Sequence, residues 1–489
     1  MKKIIAYTFC AMLALGACCL GIQSSFAAGT TWPVSPGTGN IQAAINGAAS
    51  GDTLSLATGT YDGAILINTS LTIQAASGAT PVVKFTDANT GGPGSYPFAF
   101  QASNTTIVWD GINIIYDGNP TSGLCTNDSP VNQNVTFKNC TISDTANHVT
   151  KGSSSFIFNV TDTGSLLTFD HVTVDLSAGA GFTWGIYQNS ASTGKVVIDN
   201  STMTLAHCAY EVIEIGNGAG VGGQITFNKS TIAGDGAYGL LLTWSGGAST
   251  ANQSRFNMNS SSLPTGIYNY DGTGTMVFNQ CVIDASNSAV VPISNLAAGG
   301  GSTQFTNCAL LYNSAKMGVG NALLESRFGG IASFKYCTFA DSAASGDAVV
   351  HGLLGLSDLM STGAAGALTV QDCLFSTPIA PIYIWNLGAG NANITYTVGK
   401  NLYSIDPAAD AIPTQDEANL ATGSVNVVGD PMLATDNIHL TAGSPAIGVA
   451  ANIGIVVDID REARPVTGGD LGCDQFNAPN AVNSWMIYN

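Results

Sequence analysis

The sequence predicts an all-β fold, a right-handed parallel β-helix (solenoid) with an N-terminal cap and a C-terminal capping segment. The first observation is composition: among 489 residues there are 58 glycines, and only 9% are charged. Tight turns need glycine, whereas helix faces need residues such as Glu, Lys and Arg. The second is a six-residue frame that recurs about every 29 residues. A fixed frame with variable gaps is typical of stacked supersecondary units.

The segment 1–27 has the order of a secretory signal peptide. It opens on two lysines, continues as an apolar run and ends in small residues. We therefore expect a secreted protein, extracellular or at the cell surface. An alternative is a lipoprotein, because Leu15-Gly16-Ala17-Cys18 resembles a lipobox that would acylate Cys18. We predict no transmembrane segment in the mature chain, since no later segment is apolar enough to span a bilayer.

The frame reads apolar, polar, polar, small, any residue, apolar. It occurs at Trp109–Ile114, Phe137–Ile142, Phe169–Val174, Ile198–Met203, Phe227–Ile232, Met258–Leu263, Phe278–Ile283, Phe305–Leu310, Phe334–Phe339 and Val370–Phe375. The first, fourth and sixth positions can all point inward only if the chain bends sharply at the third. Gly and Asn, which tolerate a left-handed backbone, often stand there. His171, Lys229 and Tyr336 suit that conformation less well, so we expect the bend to vary at their turns.

Two ladders should fill the interior. Aromatic rings at the first position form one of them, and small residues at the fourth position form the other. The cysteines at the fourth position are Cys140, Cys281, Cys308, Cys337 and Cys373. Side chains in register on parallel strands point the same way and not at each other, so we predict buried free thiols rather than disulfides.

One solenoid turn cannot bury its apolar face alone, so residues 28–429 are predicted to form one elongated domain that includes the N-terminal cap. Residues 430–489 leave the frame, and we expect them to pack over the final turn. Arg461 or Arg464 should then pair with an aspartate of that segment. Its aspartates are Asp458, Asp460, Asp470 and Asp474. Calcium binding by these carboxylates is the alternative; otherwise no metal and no cofactor is predicted.

The charge balance limits the partners. Fourteen Lys and Arg stand against 32 Asp and Glu, for a formal net charge of −18. With no basic cluster, nucleic-acid binding is excluded. We expect a monomer.

The second strand of successive turns holds the candidate binding residues, because sugar rings stack on exposed aromatic faces and carboxylates can do acid–base work on glycosidic bonds. The candidates are Trp184, Tyr187, Trp244, Tyr268, Glu325, Arg327, His351 and Trp385, and the same tract contains Tyr210, Tyr270 and Tyr383. The alternative is that half of these aromatics belong to the core, and that Glu325 and Arg327 form a surface ion pair.

Glu211 and Glu214 are the candidate catalytic pair. On a regular strand a spacing of three points two side chains to opposite faces, which argues against a two-carboxylate site. Only a bulge or a turn would bring the two carboxyl groups together.

Three stretches resemble a known group of proteins. They are the entry at 40–61, the repeats over roughly 105–385, and the ending at 444–472. In these the chain is similar to secreted bacterial right-handed parallel β-helix proteins of the pectin-lyase-like superfamily. The resemblance implies an extracellular protein that binds or processes polysaccharide, or a cell-surface glycan. If it is an enzyme, a polysaccharide lyase or glycoside hydrolase is implied. The alternative is a non-catalytic structural or adhesive surface protein, because the Asn-Thr-Asp, Gly-His-Gly and Arg-Ile-Lys signatures of the family's hydrolases do not occur here.

Overall fold

The computed structural model describes most of the chain from residue 29 to residue 477. The gaps are 87–97, 101, 118–124, 127–131, 147–155, 161–163, 180–182, 189–192, 217–221, 237–238, 245, 259–264, 271–272, 289–290, 297–300, 317–323, 328–329, 344–353, 358–365, 378–381, 385–394, 405–426 and 452. The predicted leader with Cys18 lies outside the described residues, as do His351 and Trp385.

The predicted all-β parallel solenoid is confirmed: the strands form three parallel sheets. The first sheet contains Thr31–Val34, Asp52–Leu56, Leu71–Ala75, Thr106–Asp110, Asn134–Lys138, Leu166–Asp170, Lys195–Asp199, Gln224–Asn228, Ala248–Asn252, Thr275–Asn279, Ser302–Thr306, Ile331–Lys335, Ala367–Gln371 and Thr395–Val398. The second contains Gly37–Thr38, Gly59–Asp62, Pro81–Phe85, Asn113–Tyr116, Thr141–Asp144, Thr173–Leu176, Thr202–Cys208, Thr231–Gly236, Arg255–Met258, Val282–Asp284, Ala309–Tyr312, Thr338–Asp341, Leu374–Ser376, Leu402–Tyr403 and Val427–Val428. The third contains Ile65–Ile67, Phe98–Phe100, Cys125–Thr126, Phe156–Val160, Trp184–Gln188, Glu211–Ile215, Gly239–Thr243, Thr265–Tyr270, Val291–Leu296, Leu324–Arg327, Leu354–Ser357 and Ile382–Ile384.

The bend at the third position of the frame joins the first sheet to the second. Its residue is left-handed at Gly111, with φ 71°, and at Asn139, with φ 51°. The expectation that the bend varies at unusual residues was wrong: His171, Lys229 and Tyr336 have φ 54°, 48° and 51°. The stacked coils on either side hold the backbone there, so tertiary context overrides the local preference.

The interior contains the predicted aromatic ladder. The frame's first-position phenylalanines are all buried: Phe137, Phe169, Phe227, Phe278, Phe305 and Phe334. Phe278 and Phe305 stack with ring centroids 4.8 Å apart, and Phe305 stacks on Phe334 at 5.0 Å. This spacing matches the separation of neighbouring strands, so each ring covers the next along the solenoid.

The cysteine ladder is also confirmed. Cys140, Cys281, Cys308, Cys337 and Cys373 are buried free thiols, as is Cys473. The thiols lie near backbone carbonyls, for example Cys308 Sγ at 3.3 Å from the oxygen of Thr306. Burial raises the pKa of the Cys281 and Cys337 thiols, which disfavours the reactive thiolate.

A short helix, Asn40–Gly47, forms part of the N-terminal cap. Its Ile41 and Ile45 are buried against the first coils. Among the described residues, no helix combines the length and the apolar character needed to cross a bilayer.

The C-terminal segment (residues 430–477) takes a different place from the predicted one. It does not simply cover the final turn, since its contacts run along the outside of the second sheet as far back as Gln280. Asn307 Nδ2 donates to Val457 O at 2.6 Å, and Cys473 N donates to Thr338 Oγ1 at 3.0 Å. Outward positions of the second sheet that are polar in earlier coils become apolar under this segment. These covered residues are Val282, Ala309, Leu374 and Leu402.

The predicted arginine–aspartate pair in this segment is not found among the described residues. Arg464 is buried and donates instead to backbone carbonyls, from Nη1 to Asp470 O at 2.9 Å and from Nη2 to Gly472 O at 2.7 Å. Its guanidinium also lies 4.3 Å from the centre of the Tyr336 ring. Arg464 therefore tightens the loop and covers a core aromatic ring.

His439 supplies the cationic contact instead. Its Nε2 lies 2.7 Å from Asp460 Oδ2, and its Nδ1 bonds to Asp436. Although burial opposes the imidazolium, these two carboxylates raise the pKa of His439 to about 10.

Candidate functional site

Six of the candidates lie on, or directly after, four neighbouring strands of the third sheet. Trp184 and Tyr187 belong to Trp184–Gln188, and both carboxylates belong to Glu211–Ile215. Trp244 directly follows Gly239–Thr243, and its N–H extends the sheet to Ile215 O at 2.9 Å. Tyr268 lies on Thr265–Tyr270.

Backbone register lines up part of this set in one column along the solenoid. Tyr187 pairs with Glu214, Glu214 with Leu242, and Leu242 with Tyr268. The column continues through Ser294 to Glu325. Arg327 lies on the strand of Glu325, two residues further on. The predicted Glu325–Arg327 ion pair is not tested, because the side chains of this strand are not described.

The two carboxylates lie on the same face, so the expectation that a spacing of three separates them was wrong. Val212 and Ile213, between them, are both fully buried, and the strand therefore turns two consecutive side chains inward. The previous strand repeats the pattern, with Trp184 and Tyr187 half-exposed around buried Gly185 and Ile186.

Gly185 shows why the two irregular strands fit together. A Cβ on Gly185 would lie 2.4 Å from the backbone oxygen of Val212. Only glycine permits this close approach of two backbones. The strand of Gly185 can therefore follow the irregular path of the strand that contains Val212.

The side chains of Glu211 and Glu214 interact, and each affects the pKa of the other. Trp184 Nε1 donates a hydrogen bond of 3.2 Å to Glu211 Oε2. Glu214 is only 5% exposed. Burial raises the pKa of Glu214 to about 8, and the negative charge of Glu211 adds to the rise, while the indole N–H groups of Trp184 and Trp244 oppose it. Burial also raises the pKa of Glu211. Glu214 therefore keeps its proton at neutral pH.

Trp244 lies on the other side of the pair. Its Nε1 is buried and donates no well-aligned hydrogen bond among the described residues. The N–H is still close enough to Glu214 to lower the pKa of that carboxyl group.

Aromatic rings lie on both sides of the carboxyl pair, and we call the whole set the aromatic–carboxyl face. Its members are Trp184, Tyr187, Tyr210, Glu211, Glu214, Trp244, Tyr268 and Tyr270. On one side Tyr210 stacks on Trp184 at 4.7 Å, and Tyr187 lies 5.1 Å from Trp184. On the other, Trp244 meets Tyr270 edge-on at 4.6 Å, and Tyr268 lies 5.1 Å from Tyr270.

The alternative that half of the aromatics are core residues does not hold for the described members. Trp184, Tyr187, Trp244 and Tyr268 are half-exposed. Tyr210, 42% exposed, was not among the chosen binding residues. The sequence signal for Tyr210 was its position directly before the Glu211 strand. In the structure its N–H donates to Thr183 O at 2.9 Å, and this contact sets its ring over Trp184.

The separation of the carboxyl groups limits the chemistry. Glycosidases that use two carboxyl groups hold them ~5 Å apart or more, on either side of the scissile bond. Glu211 and Glu214 lie three residues apart on one strand and interact with each other. They resemble carboxyl dyads in which one group keeps its proton.

A second cluster has the spacing of a metal site. Ligand atoms of His439, Asp460 and Asp474 lie within 4.8 Å of one another. However, His439 is hydrogen bonded to a carboxylate at each ring nitrogen, which leaves no lone pair for a metal ion. Asp474 accepts from Leu440 N at 2.8 Å. The expected calcium ligands Asp458 and Asp470 likewise accept backbone N–H groups, from Glu462 at 2.7 Å and from Phe476 at 2.6 Å. These contacts give the cluster a structural role.

Comparison with known proteins finds no matching family model, and no curated protein matches. Solved structures that resemble the chain include a pectate lyase, at 12% identity and a TM-score of 0.33, which covers 93% of this chain and 98% of the other. An alginate lyase of family PL6, in complex with a trisaccharide, has 11% identity and a TM-score of 0.40, covering 78% and 86%. A mannuronic-acid-specific family 6 polysaccharide lyase from the human gut microbiota has 10% identity and a TM-score of 0.31, covering 82% and 92%. Similarities of this size leave the function to be argued from the chain's own residues.

Proposed function

We propose that this protein is a secreted or cell-surface protein that binds polysaccharide with its aromatic–carboxyl face. The observation that carries the proposal is the placement of half-exposed rings on both sides of a carboxyl pair, on neighbouring coils of one sheet. Successive coils are ~4.8 Å apart. An extended glycan that runs along the solenoid can therefore meet several rings in succession, and the carboxyl groups between them can bind its hydroxyl groups.

The N-terminal sequence supports the proposed location. Residues 1–27 have the charge and apolar pattern of an export signal. The buried state of the thiols is compatible with an oxidising compartment, since burial disfavours the thiolate that oxidation requires.

Polysaccharide processing is a second candidate, favoured by the raised pKa of Glu214. A carboxyl group that keeps its proton near neutral pH is suited to general acid catalysis. In a hydrolytic step, Glu214 would give its proton to the leaving glycosidic oxygen. Glu211 would take one from the attacking water, so the pair would again hold a single proton.

A non-catalytic adhesive role is favoured by a different observation. Glu211 and Glu214 lie on one strand and interact with each other, whereas the carboxyl groups of the usual hydrolases flank the glycosidic bond. In that role the proton of Glu214 only removes one of two repelling charges from the surface.

The test uses residues 28–489 and a panel of soluble and insoluble polysaccharides. Binding is measured by co-sedimentation, and cleavage by the release of reducing ends and of unsaturated products. The variant W184A/W244A should lose binding. The control Trp32→Ala, in the first sheet, should retain it.

Each outcome of this test has a separate meaning. Binding with product release selects the processing role, and a Glu214→Gln variant should then bind without releasing product. Binding without product selects the adhesive role. If the wild-type chain binds nothing in the panel, or if the double variant binds equally well, the proposed function is wrong.

A further inference from the structure

Several carboxylates among the described residues pair with a cationic side chain, but the carboxyl pair of the aromatic–carboxyl face does not. Elsewhere Asp117 lies 2.5 Å from Lys84, and Asp284 lies 2.5 Å from Arg255. Among the described residues no Lys, Arg or His forms an ion pair with Glu211 or Glu214. Two adjacent, mostly buried carboxyl groups without a cation carry an unfavourable charge that a ligand could neutralise.

The rings around the pair favour the same kind of ligand. The face of an aromatic ring is the negative end of its quadrupole and attracts a cation. Trp184 stacks on Tyr210, with their ring planes 11° apart, and the indole bonds directly to Glu211. A cation placed at Glu211 would thus lie next to a carboxylate and beside an aromatic pair.

We propose that the aromatic–carboxyl face binds a polysaccharide of amino sugars whose amino groups are free and protonated. This inference rests on the proposed function. The ammonium group of one sugar forms an ion pair with Glu211 beside Trp184 and Tyr210, while the apolar faces of the neighbouring sugars pack on the remaining rings. Glu214 meanwhile keeps its proton.

The charge of the whole protein agrees with this choice. The formal net charge of −18 repels an acidic polysaccharide and attracts a basic one at long range. An N-acetylated sugar offers the same ring but no charge, so it would leave Glu211 without a cation. The two sugars can therefore be distinguished by one comparison.

The experiment measures binding by isothermal titration calorimetry in mildly acidic buffer with residues 28–489. The probes are an oligomer of β-1,4-linked glucosamine and the fully N-acetylated oligomer of the same length. We expect the glucosamine oligomer to bind at least about tenfold more tightly, and the preference to weaken as salt is added. Glu211→Gln should remove the preference, and Tyr210→Ala, which changes an exposed ring, should reduce binding several-fold.

Asp199→Asn, on the outer face of the first sheet, is the control for total charge and should change nothing. If Asp199→Asn weakens binding as much as Glu211→Gln, net charge explains the result and the inference is overturned. It is also overturned, while the proposed function stands, if the N-acetylated oligomer or another polysaccharide binds this face and the glucosamine oligomer does not. If no sugar binds at all, both proposals fail.

Discussion

The indole Nε1 of Trp184 donates a hydrogen bond of 3.2 Å to Oε2 of Glu211, 27 residues later in the chain and on the next strand of the same sheet. The contact joins an aromatic ring to the carboxyl pair across two coils. It also fixes one oxygen of Glu211, and the same carboxyl group interacts with Glu214. Removing this N–H should therefore change the pKa values of the pair while the fold stays the same.

Trp184→Phe tests this contact. The phenyl ring keeps the stacking on Tyr210 but has no N–H donor. The ionised form of Glu211 therefore becomes less stable relative to the protonated form. We expect the pKa of Glu211 to rise further, which can be followed by carboxyl-selective NMR with labelled glutamate. An unchanged titration would show that the hydrogen bond does not act on the pair. Trp32→Phe, remote from the site, is the control.

Glu214→Gln tests the raised pKa through stability. The pKa of Glu214 is about 8 in the folded chain, against an ordinary value of ~4.3 when unfolded. Between these values the folded state binds more protons than the unfolded state, so the free energy of unfolding falls as the pH rises. Glutamine keeps the hydrogen bond to Glu211 without titrating. The free energy of unfolding of the variant, taken relative to that of wild type, should therefore rise by on the order of 2 kcal/mol from about pH 5 to about pH 9.

Chemical denaturation at both pH values measures this difference. Asp458 and Asp474 have pKa values raised to about 7 and about 6 and also lower the stability as the pH rises, so only the difference between variant and wild type isolates Glu214. Equal pH profiles for wild type and variant would contradict the raised pKa of Glu214. Asp199→Asn is again the matched control.

The aromatic ladder predicts a large cost for one ring. Phe305 is buried between Phe278 and Phe334, and Phe305→Ala should leave a cavity that the stacked neighbours cannot fill. We expect a loss of ~3–5 kcal/mol in the free energy of unfolding. Gln304→Ala, an outward residue on the same strand, should cost little. A loss below ~1 kcal/mol for Phe305→Ala would show that the ladder does not stabilise the core.

His439→Gln tests the attachment of the C-terminal segment. The pKa of His439 is raised from its ordinary ~6.5 to about 10. Its contribution to stability is therefore fully present below about pH 6.5 and lost as the pH rises toward 10. The variant should melt at a lower temperature than wild type at about pH 6, and the difference should shrink at about pH 10. His171→Gln is a fair control, because Gln253 and Gln280 occupy the same left-handed bend in other coils. A difference that does not depend on pH would exclude the ionic contact.

The solenoid and its ladders were predictable because the same six-residue frame recurs along the chain, and each recurrence indicates the same packing. Phe278, Phe305 and Phe334 occupy the same position of that frame, and stacking requires that they share an environment. His171 and Tyr336 did not follow the local preference for Gly or Asn, since a bend fixed by two neighbouring coils outweighs it.

The geometry of the site could not be read in the same way. The rule of alternation placed Glu211 and Glu214 on opposite faces, but a bend within the strand buries Val212 and Ile213 together. That irregularity depends on the matching backbone at Gly185 in the previous coil, a contact between residues far apart in sequence. A pattern read along a single strand does not contain it.

The position of the C-terminal segment did leave a signal. Outward residues of the second sheet change from Thr141 and Thr173 in early coils to Val282 and Leu374 in later ones. Such a change from polar to apolar on an outer face indicates that something covers it. The inward positions of the frame carry no such signal, so they predict only an end cap.

Affinity electrophoresis tests the central claim most directly, because a gel that contains the bound polysaccharide reports binding by retardation alone. Wild-type chain 28–489 should be retarded in proportion to the polysaccharide concentration, and W184A/W244A should lose at least about tenfold in affinity, since stacked rings contribute much of such binding. Trp32→Ala should migrate like wild type. If wild type is not retarded by any polysaccharide, or W184A/W244A is retarded as strongly, the aromatic–carboxyl face is not a glycan-binding site.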